Sequence, residues 1–225
     1  MTFSLIARCS ETGQFGAVIS SSSISVGSRC PWARSKVGAV STQNVTLPSI
    51  GPMVLDALAQ NRNAPESLES VMAQDEFSDY RQVIVVDSTG KTASHNGEHT
   101  LGIHAIVDSD HCIAAGNMLA NTSVPQKMLD AFLSMPHLDL ANRLLQALDA
   151  GNDAGGEAGP LHSSSLVIVA NELWPLVDLR VDWTDDDPIA ELRRLWERYE
   201  PQMDDYVARA LNPNEAPRYG VPGDS

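Results

Sequence analysis

The stretch Tyr80-Arg81-Gln82-Val83-Ile84-Val85-Val86-Asp87, then Ser88-Thr89-Gly90, then Lys91-Thr92-Ala93-Ser94-His95, decides how the chain folds. Val83 to Val86 are β-branched and apolar, and the run is too short for a buried helix, so Tyr80 to Asp87 reads as a strand. Ser88-Thr89-Gly90 is turn chemistry, and Lys91 to His95 is the antiparallel partner. A hairpin at this point, in place of a crossover helix, argues against a βαβ alternation and for antiparallel sheets with the helices segregated from them.

The same logic extends outward. Phe3 to Arg8 and Phe15 to Ser20 are two short apolar runs joined by Glu11-Thr12-Gly13-Gln14, a second hairpin. Val37 to Gln43 is a strand of small and β-branched residues in which Gly38 permits close packing. Gly51 to Gln60 and Pro65 to Gln74 then read as helices, the second opening on Pro65 with Glu66 beside the positive end of its dipole. His111 to Ala115 is a strand ending at Gly116-Asn117. Pro125 to Ser134 and Leu138 to Ala150 are helices, the latter with Leu140, Leu144, Leu145 and Leu148 on one face and Gly151 as its stop signal. Leu166 to Ala170 and Val177 to Val181 form another strand pair. Asp185-Asp186-Asp187-Pro188 caps a last helix carrying Ile189, Leu192, Leu195, Trp196 and Tyr199. The expected architecture is α+β, with two mainly antiparallel sheets face to face and helices outside. It forms one domain over residues 1–212, with a loose Pro- and Gly-rich tail over 213–225.

Composition narrows the function classes. The 225 residues include 43% apolar and 20% charged residues, a globular balance. A net charge of −14 repels phosphate backbones and anionic lipid, so neither nucleic acid nor a membrane is an expected partner. Met1-Thr2-Phe3-Ser4-Leu5-Ile6 lacks the basic start and long apolar run of a secretory signal. Cys9, Cys30 and Cys112 are an odd number with no Cys-x-x-Cys spacing, which fits reduced thiols in the cytoplasm.

No G-x-G-x-x-G after a strand, P-loop, G-x-S-x-G elbow or His-Glu-x-x-His occurs. Ser109-Asp110-His111 sets three triad residue types side by side, but triads assemble in space, and the run reads as a polar loop. His95 and His99 are four apart, the spacing of two ligands on one helix face. Asn96-Gly97 between them is a turn, so that geometry is absent, and neither a metal nor any other cofactor is expected.

Several segments then add up to a resemblance. Thr2-Phe3-Ser4-Leu5-Ile6-Ala7-Arg8 is followed by Thr12-Gly13 and Phe15-Gly16. Pro31-Trp32-Ala33-Arg34 precedes Val37-Gly38-Ala39-Val40-Ser41-Thr42-Gln43. Tyr80-Arg81-Gln82, Val85-Val86-Asp87, the His95-x-Gly97 turn, Gly116-Asn117-Met118-Leu119, Val177-Asp178-Leu179-Arg180-Val181-Asp182 and Pro188 to Leu195 come in order after them. This series resembles the family called domain of unknown function 1028, which is similar in fold to the N-terminal nucleophile (Ntn) hydrolases. The resemblance implies a four-layer αββα sandwich, in agreement with the two-sheet reading.

It also implies a chemistry. With Met1 removed, Thr2 would carry both a hydroxyl nucleophile and a free α-amine able to act as its base, for hydrolysis of a small amide or peptide-like substrate. Asn117, beside Gly116 at a strand end, would serve the oxyanion. Arg34 and Gln43 would anchor a polar or carboxylate-bearing substrate, with Gly116 and His95 beside it. Each residue has a structural alternative. Thr2 can simply start an edge strand, Asn117 can hold a turn, Gln43 can satisfy a backbone group, and Arg34 can stack on an aromatic surface or pair with an acid. Where the family carries a basic stretch ending in Arg-x-Gln-Ser, this chain has Glu157-Ala158-Gly159-Pro160-Leu161-His162-Ser163, with the Ser and no Arg. That departure implies an altered specificity or a lost site. The alternative to a hydrolase is a non-catalytic small-molecule-binding or assembly protein on the same fold, and a homodimer is compatible with either.

Overall fold

The structure, a computed structural model, describes residues 1–221. It contains two antiparallel sheets. The six-stranded sheet runs β10-β9-β2-β1-β8-β7, with β1 Thr2–Arg8, β2 Phe15–Ser21, β7 Ala105–Ser109, β8 Cys112–Asn117, β9 Ser163–Val169 and β10 Val177–Val181. The four-stranded sheet runs β3-β4-β5-β6, with β3 Pro31–Arg34, β4 Gly38–Asn44, β5 Arg81–Asp87 and β6 Thr92–Asn96. Helices α1 Ile50–Leu58 and α2 Ala64–Met72 cover the smaller sheet. Helices α3 Val124–Ser134, α4 Leu140–Asp153 and α5 Pro188–Tyr199 cover the larger one, and α6 Met203–Leu211 follows α5. The layer order is helix, sheet, sheet, helix.

Strand periodicity builds these layers. In β1, Phe3, Leu5 and Ala7 join Leu140, Leu144 and Leu148 in the core under α3 and α4, while Ile6 points the other way. In β5, Val83 and Val85 meet Val54, Leu55 and Leu68 of α1 and α2, whereas Ile84 and Val86 face Ile6, Ala17, Ile113 and Ala115 across the sandwich. A strand buried on both faces has no polar face to present, which is why residues 83–86 are an unbroken apolar run. The hairpin after β5 is held by Asp87. Its carboxylate accepts from the Thr89 N–H at 2.9 Å, the Thr89 hydroxyl at 2.7 Å and the Ala64 N–H at 2.9 Å, tying the start of α2 to the turn.

Gly38 does the work its sequence context implies. A Cβ there would lie 2.5 Å from the Val86 carbonyl oxygen and 2.9 Å from Leu58. Because a backbone atom is in the way, Gly38→Ala is expected to cost about 1–3 kcal/mol, the range for overpacking, read from chemical denaturation.

Several sequence expectations are corrected. Gly151 does not stop α4, which continues to Asp153. It sits inside the helix because a Cβ there would come 2.7 Å from Met128, and the positive-φ residues that turn the chain are Gly155 and Gly156. β3, β7 and α6 were absent from the sequence reading. β3 and β7 are edge strands, and α6 has no buried residue, so each lacks a strong apolar signature. β1 lies between β2 and β8, so Thr2 begins a central strand and not an edge strand. Past Leu211, Arg209 donates to the Pro217 carbonyl at 2.9 Å and lies over the Tyr219 ring. The last part of the expected tail, 222–225, lies outside the described residues.

All three cysteines are free thiols. Burial pushes the Cys112 thiol up to about 12 and raises Cys30 as well. At Cys9 burial acts in the same direction, but hydrogen bonds involving Thr12 and Glu11 and the charge of Arg143 outweigh it and bring the thiol below its usual value. Only Cys9 is partly exposed. A thiolate reagent is therefore expected to label Cys9 alone in native protein at pH 7–8 and all three after denaturation, counted by intact mass.

Candidate functional site at the start of β1

Thr2 pairs directly with Asn117 across the β1–β8 ladder, so their side chains share the face turned toward the second sheet. Ser4, two residues along the same face, donates to Gln43 Oε1 at 2.8 Å and lies 3.2 Å from the Ser41 hydroxyl, bridging the two sheets. Gln43 Nε2 donates to Gln82 Oε1 at 2.7 Å, and Asn117 Nδ2 donates to the same oxygen at 3.1 Å. Gln82 Nε2 in turn donates to Asn96 Oδ1 at 2.8 Å and to the Gly116 carbonyl at 3.1 Å. Thr2 Oγ1 stands 3.2 Å from Ser21 Oγ, and both hydroxyls donate to the Met1 carbonyl. One end of the space between the sheets is thus a polar network of Thr2, Ser4, Ser21, Ser41, Gln43, Gln82 and Asn117, whereas Ile6, Ala39, Ile84, Val86 and Ile113 fill the apolar part of the same layer.

The network is almost dry. Thr2 is 6% exposed, and Gln43, Gln82 and Asn117 are 0% exposed. Asn117 Oδ1 has no hydrogen-bond partner among the described residues, and one of the two N–H groups of its amide is committed to Gln82. The second N–H group gives Asn117 a donor to offer beside Thr2.

Other expected site residues lie elsewhere. Arg34 ends β3 and pairs with Asp56 of α1 at 2.8 Å on the outer side of the smaller sheet, the acid-pairing alternative. His95 is opposite Val83, which packs under α1 and α2, so its ring is on the helix side of that sheet. It lines a groove of about 660 Å³ with Leu68, Met72 and Ala93, and Nε2 is 2.9 Å from the Ser78 carbonyl. One substrate cannot touch both His95 and Thr2, because the four-stranded sheet stands between them. Gly116 contributes its carbonyl to Gln82. Its missing side chain is explained by Leu119, which a Cβ there would meet at 2.5 Å. Gln82 escaped the sequence reading as a site residue. The available signal was a glutamine in phase with Ile84 and Val86 in a strand otherwise apolar on that face.

Glu157 is the second omission. It lies beside Leu119 through a β-bridge, is 5% exposed, and among the described residues neither carboxylate oxygen has a hydrogen-bond partner. Burial pushes its carboxyl up to about 7, against the opposing pull of the Met1 α-amine and the groups of Ser22. Among the described residues, no group of three or more His, Cys, Asp or Glu is arranged to hold a metal ion, and no helix is long and apolar enough to cross a membrane.

A model of the family of unknown function DUF1028 matches residues 2–192. The chain belongs to this family. Protein SPO2555 from Silicibacter pomeroyi, a DUF1028 protein of known crystal structure, is 30% identical, with 88% of each chain covered and a TM-score of 0.82. A Gly-1 mutant of Anbu from Hyphomicrobium sp. strain MC1 is 13% identical over 92% of this chain and 99% of its own, with a TM-score of 0.44. Anbu (ancestral beta-subunit) from Yersinia bercovieri is 10% identical over 90% and 96%, with a TM-score of 0.38. No curated protein matches. The DUF1028 chain has the four-layer order that the sequence resemblance implied, and the family itself carries no assigned activity.

Proposed function

We propose that this DUF1028 protein is an Ntn-type amidohydrolase of the cytoplasm, acting on a small amide or peptide-like substrate with Thr2 as nucleophile after Met1 is removed. The observation that carries the reading is the cross-strand pairing of Thr2 with Asn117 on the face between the sheets. It sets a hydroxyl and an amide donor side by side at the end of a central strand, where a rigid ladder holds both. In the reaction, Thr2 Oγ1 attacks the amide carbonyl and its proton passes to the Thr2 α-amine. The tetrahedral oxyanion is met by Asn117 Nδ2, and the proton moves to the departing amine. Water then hydrolyses the threonyl ester, returning the hydroxyl. Gln82 and Gln43 act behind Asn117, orienting its amide through the shared Gln82 oxygen. Removal of Met1 also takes away the carbonyl that both Thr2 and Ser21 bind, freeing the two hydroxyls.

The mass of the untagged protein tests the first requirement. Loss of Met1 is the expected result, and a retained Met1 ends this reading because an acylated Thr2 nitrogen has no lone pair to act as base.

The burial of Thr2 and the mutual satisfaction of Gln43, Gln82 and Ser4 favour a second reading, a non-catalytic binding protein in which the network only joins the sheets. That reading expects no amide turnover by the processed protein and no consequence for ligand binding when Thr2 is changed.

A further inference from the structure

The end of the sandwich that holds Thr2 is bordered by backbone that is both pinned and strained. Residues 97–104 leave β6 in the smaller sheet and cross to β7 in the larger one. On the smaller sheet, Leu101 N–H donates to Asn44 Oδ1 at 3.2 Å, and Asn44 Nδ2 donates to the Tyr80 carbonyl at 2.6 Å. On the larger sheet, the N–H groups of Met118 and Leu119 donate to the Leu101 and Ile103 carbonyls at 2.9 and 2.8 Å. Asn44 follows Gln43 and Met118 follows Asn117, so the Leu101 backbone bridges the two sheets directly beside the buried network. Asn44, Gly102 and Met118 are all left-handed, with φ of 73°, 63° and 48°. A Cβ on Gly102 would come 2.9 Å from Met118 Cα, so the crossing lies hard against that residue. A bulky residue such as Met118 persists in this conformation only where its surroundings over-determine it, a feature of ligand clamps and active sites.

The side chains displayed here are aliphatic. Leu101 and Ile103 are exposed, as is Val45, next after Asn44. Ile24, three residues beyond the Ser21 hydroxyl that meets Thr2, is exposed too. The polar groups beneath them are already committed. Ser4, Gln43 and Gln82 bond one another, Arg81 donates to Asp75 and the Val45 carbonyl, and Arg34 lies on the far side of the smaller sheet. The site thus offers a substrate the Thr2 hydroxyl and the second Asn117 N–H for its amide, and aliphatic surface for what flanks the amide.

We propose that Leu101 and Ile103 are specificity-determining residues that seat an apolar side chain beside the scissile amide, so that amides of aliphatic or aromatic amino acids are taken in preference to polar or charged ones. The substrate class rests on the Ntn-hydrolase reading, whereas the contact itself does not require turnover. An aliphatic group placed against Leu101 and Ile103 removes apolar surface on both sides from water, while a hydroxyl or a charge in the same place loses its hydration and gains no partner. Because the crossing is hydrogen-bonded to both sheets, the two side chains are held at the entrance without a further ordering cost on binding.

The test compares N-acetyl-leucinamide with N-acetyl-serinamide in wild type and in the double variant Leu101→Ser/Ile103→Ser, with affinity read by NMR titration and turnover in the same samples. Wild type is expected to favour the leucine compound by about tenfold or more, the scale of a small aliphatic group in an apolar site. The double variant is expected to lose that preference through weaker binding of the leucine compound, with the serine compound little changed. Both substitutions fall on exposed side chains, and an unshifted urea midpoint checks that the fold is kept. Equal affinity of wild type for the two compounds, binding of neither, or a preference that survives in the variant overturns the proposal, even if amides are hydrolysed. A preference present in wild type and lost in the variant, with no turnover of either compound, upholds the assignment of Leu101 and Ile103 and removes only the catalytic reading.

Discussion

Thr2→Ala is expected to abolish amide hydrolysis, lowering kcat by about 10⁶-fold, the scale seen when the nucleophile of an acyl-transfer enzyme is removed. The same substitution is expected to leave the fold nearly intact. Thr2 Oγ1 makes one side-chain contact beyond Met1, the 3.2 Å hydrogen bond to Ser21, and losing such a bond costs about 1 kcal/mol. Alanine is also small enough at the second position to let Met1 be removed, so the variant isolates the hydroxyl from the processing step. The informative measurement is turnover and ligand affinity together, on an amide hydrolysed by wild type. Turnover lost with affinity kept is the outcome expected of a nucleophile. Turnover kept in Thr2→Ala would overturn the assignment of Thr2. Thr2→Ser supplies the control, because it retains a hydroxyl on the same atom and should retain measurable activity.

Gln82→Leu is expected to give the largest loss of stability among the polar substitutions considered. Gln82 is completely buried, and its amide oxygen receives both Gln43 Nε2 and Asn117 Nδ2. Leucine fills a similar volume but accepts nothing, so two buried donors lose this acceptor at about 1–3 kcal/mol each, or roughly 2–6 kcal/mol together. The Asn96 side chain and the Gly116 carbonyl lose a donor as well, but Asn96 is exposed and can turn to water. Urea denaturation of Gln82→Leu, Gln43→Leu and the double variant makes the measurement specific. If the network acts as one unit, the double variant costs less than the sum of the singles, since removing both partners leaves fewer orphaned groups. Additive losses would mean the two glutamines pack independently. Under the proposed mechanism the same change also lets the Asn117 amide rotate, so kcat falls in the fraction that remains folded.

Much of the architecture was legible in local sequence because apolar periodicity and turn residues act over a few positions. Val83 to Val86 could only be a strand buried on both faces, and Ser88-Thr89-Gly90 could only return it antiparallel. Asp187 before Pro188 marked the start of α5 correctly: its carboxylate accepts from the N–H groups of Ile189 and Ala190 at 2.8 and 3.0 Å. Gly151 misled because a glycine inside a helix and a glycine ending one look alike until the neighbour it accommodates is known. Here that neighbour is Met128, on a different helix.

The candidate site divides along the same line. The chain by itself determined the hairpins, the antiparallel sheets with outer helices, the small residues of β4 and the family to which it belongs, since these follow from spacing and side-chain shape along the chain. Only the tertiary structure decided which polar residues meet. Thr2, Gln43, Gln82 and Asn117 come from four strands in two sheets, and their convergence depends on register and on which face of each strand is turned inward. The same facing rule sends Arg34 and His95 to the outer side. A one-residue change of register would exchange every inward side chain for an outward one. That choice is set by burial of the whole sandwich, not by any short segment of it.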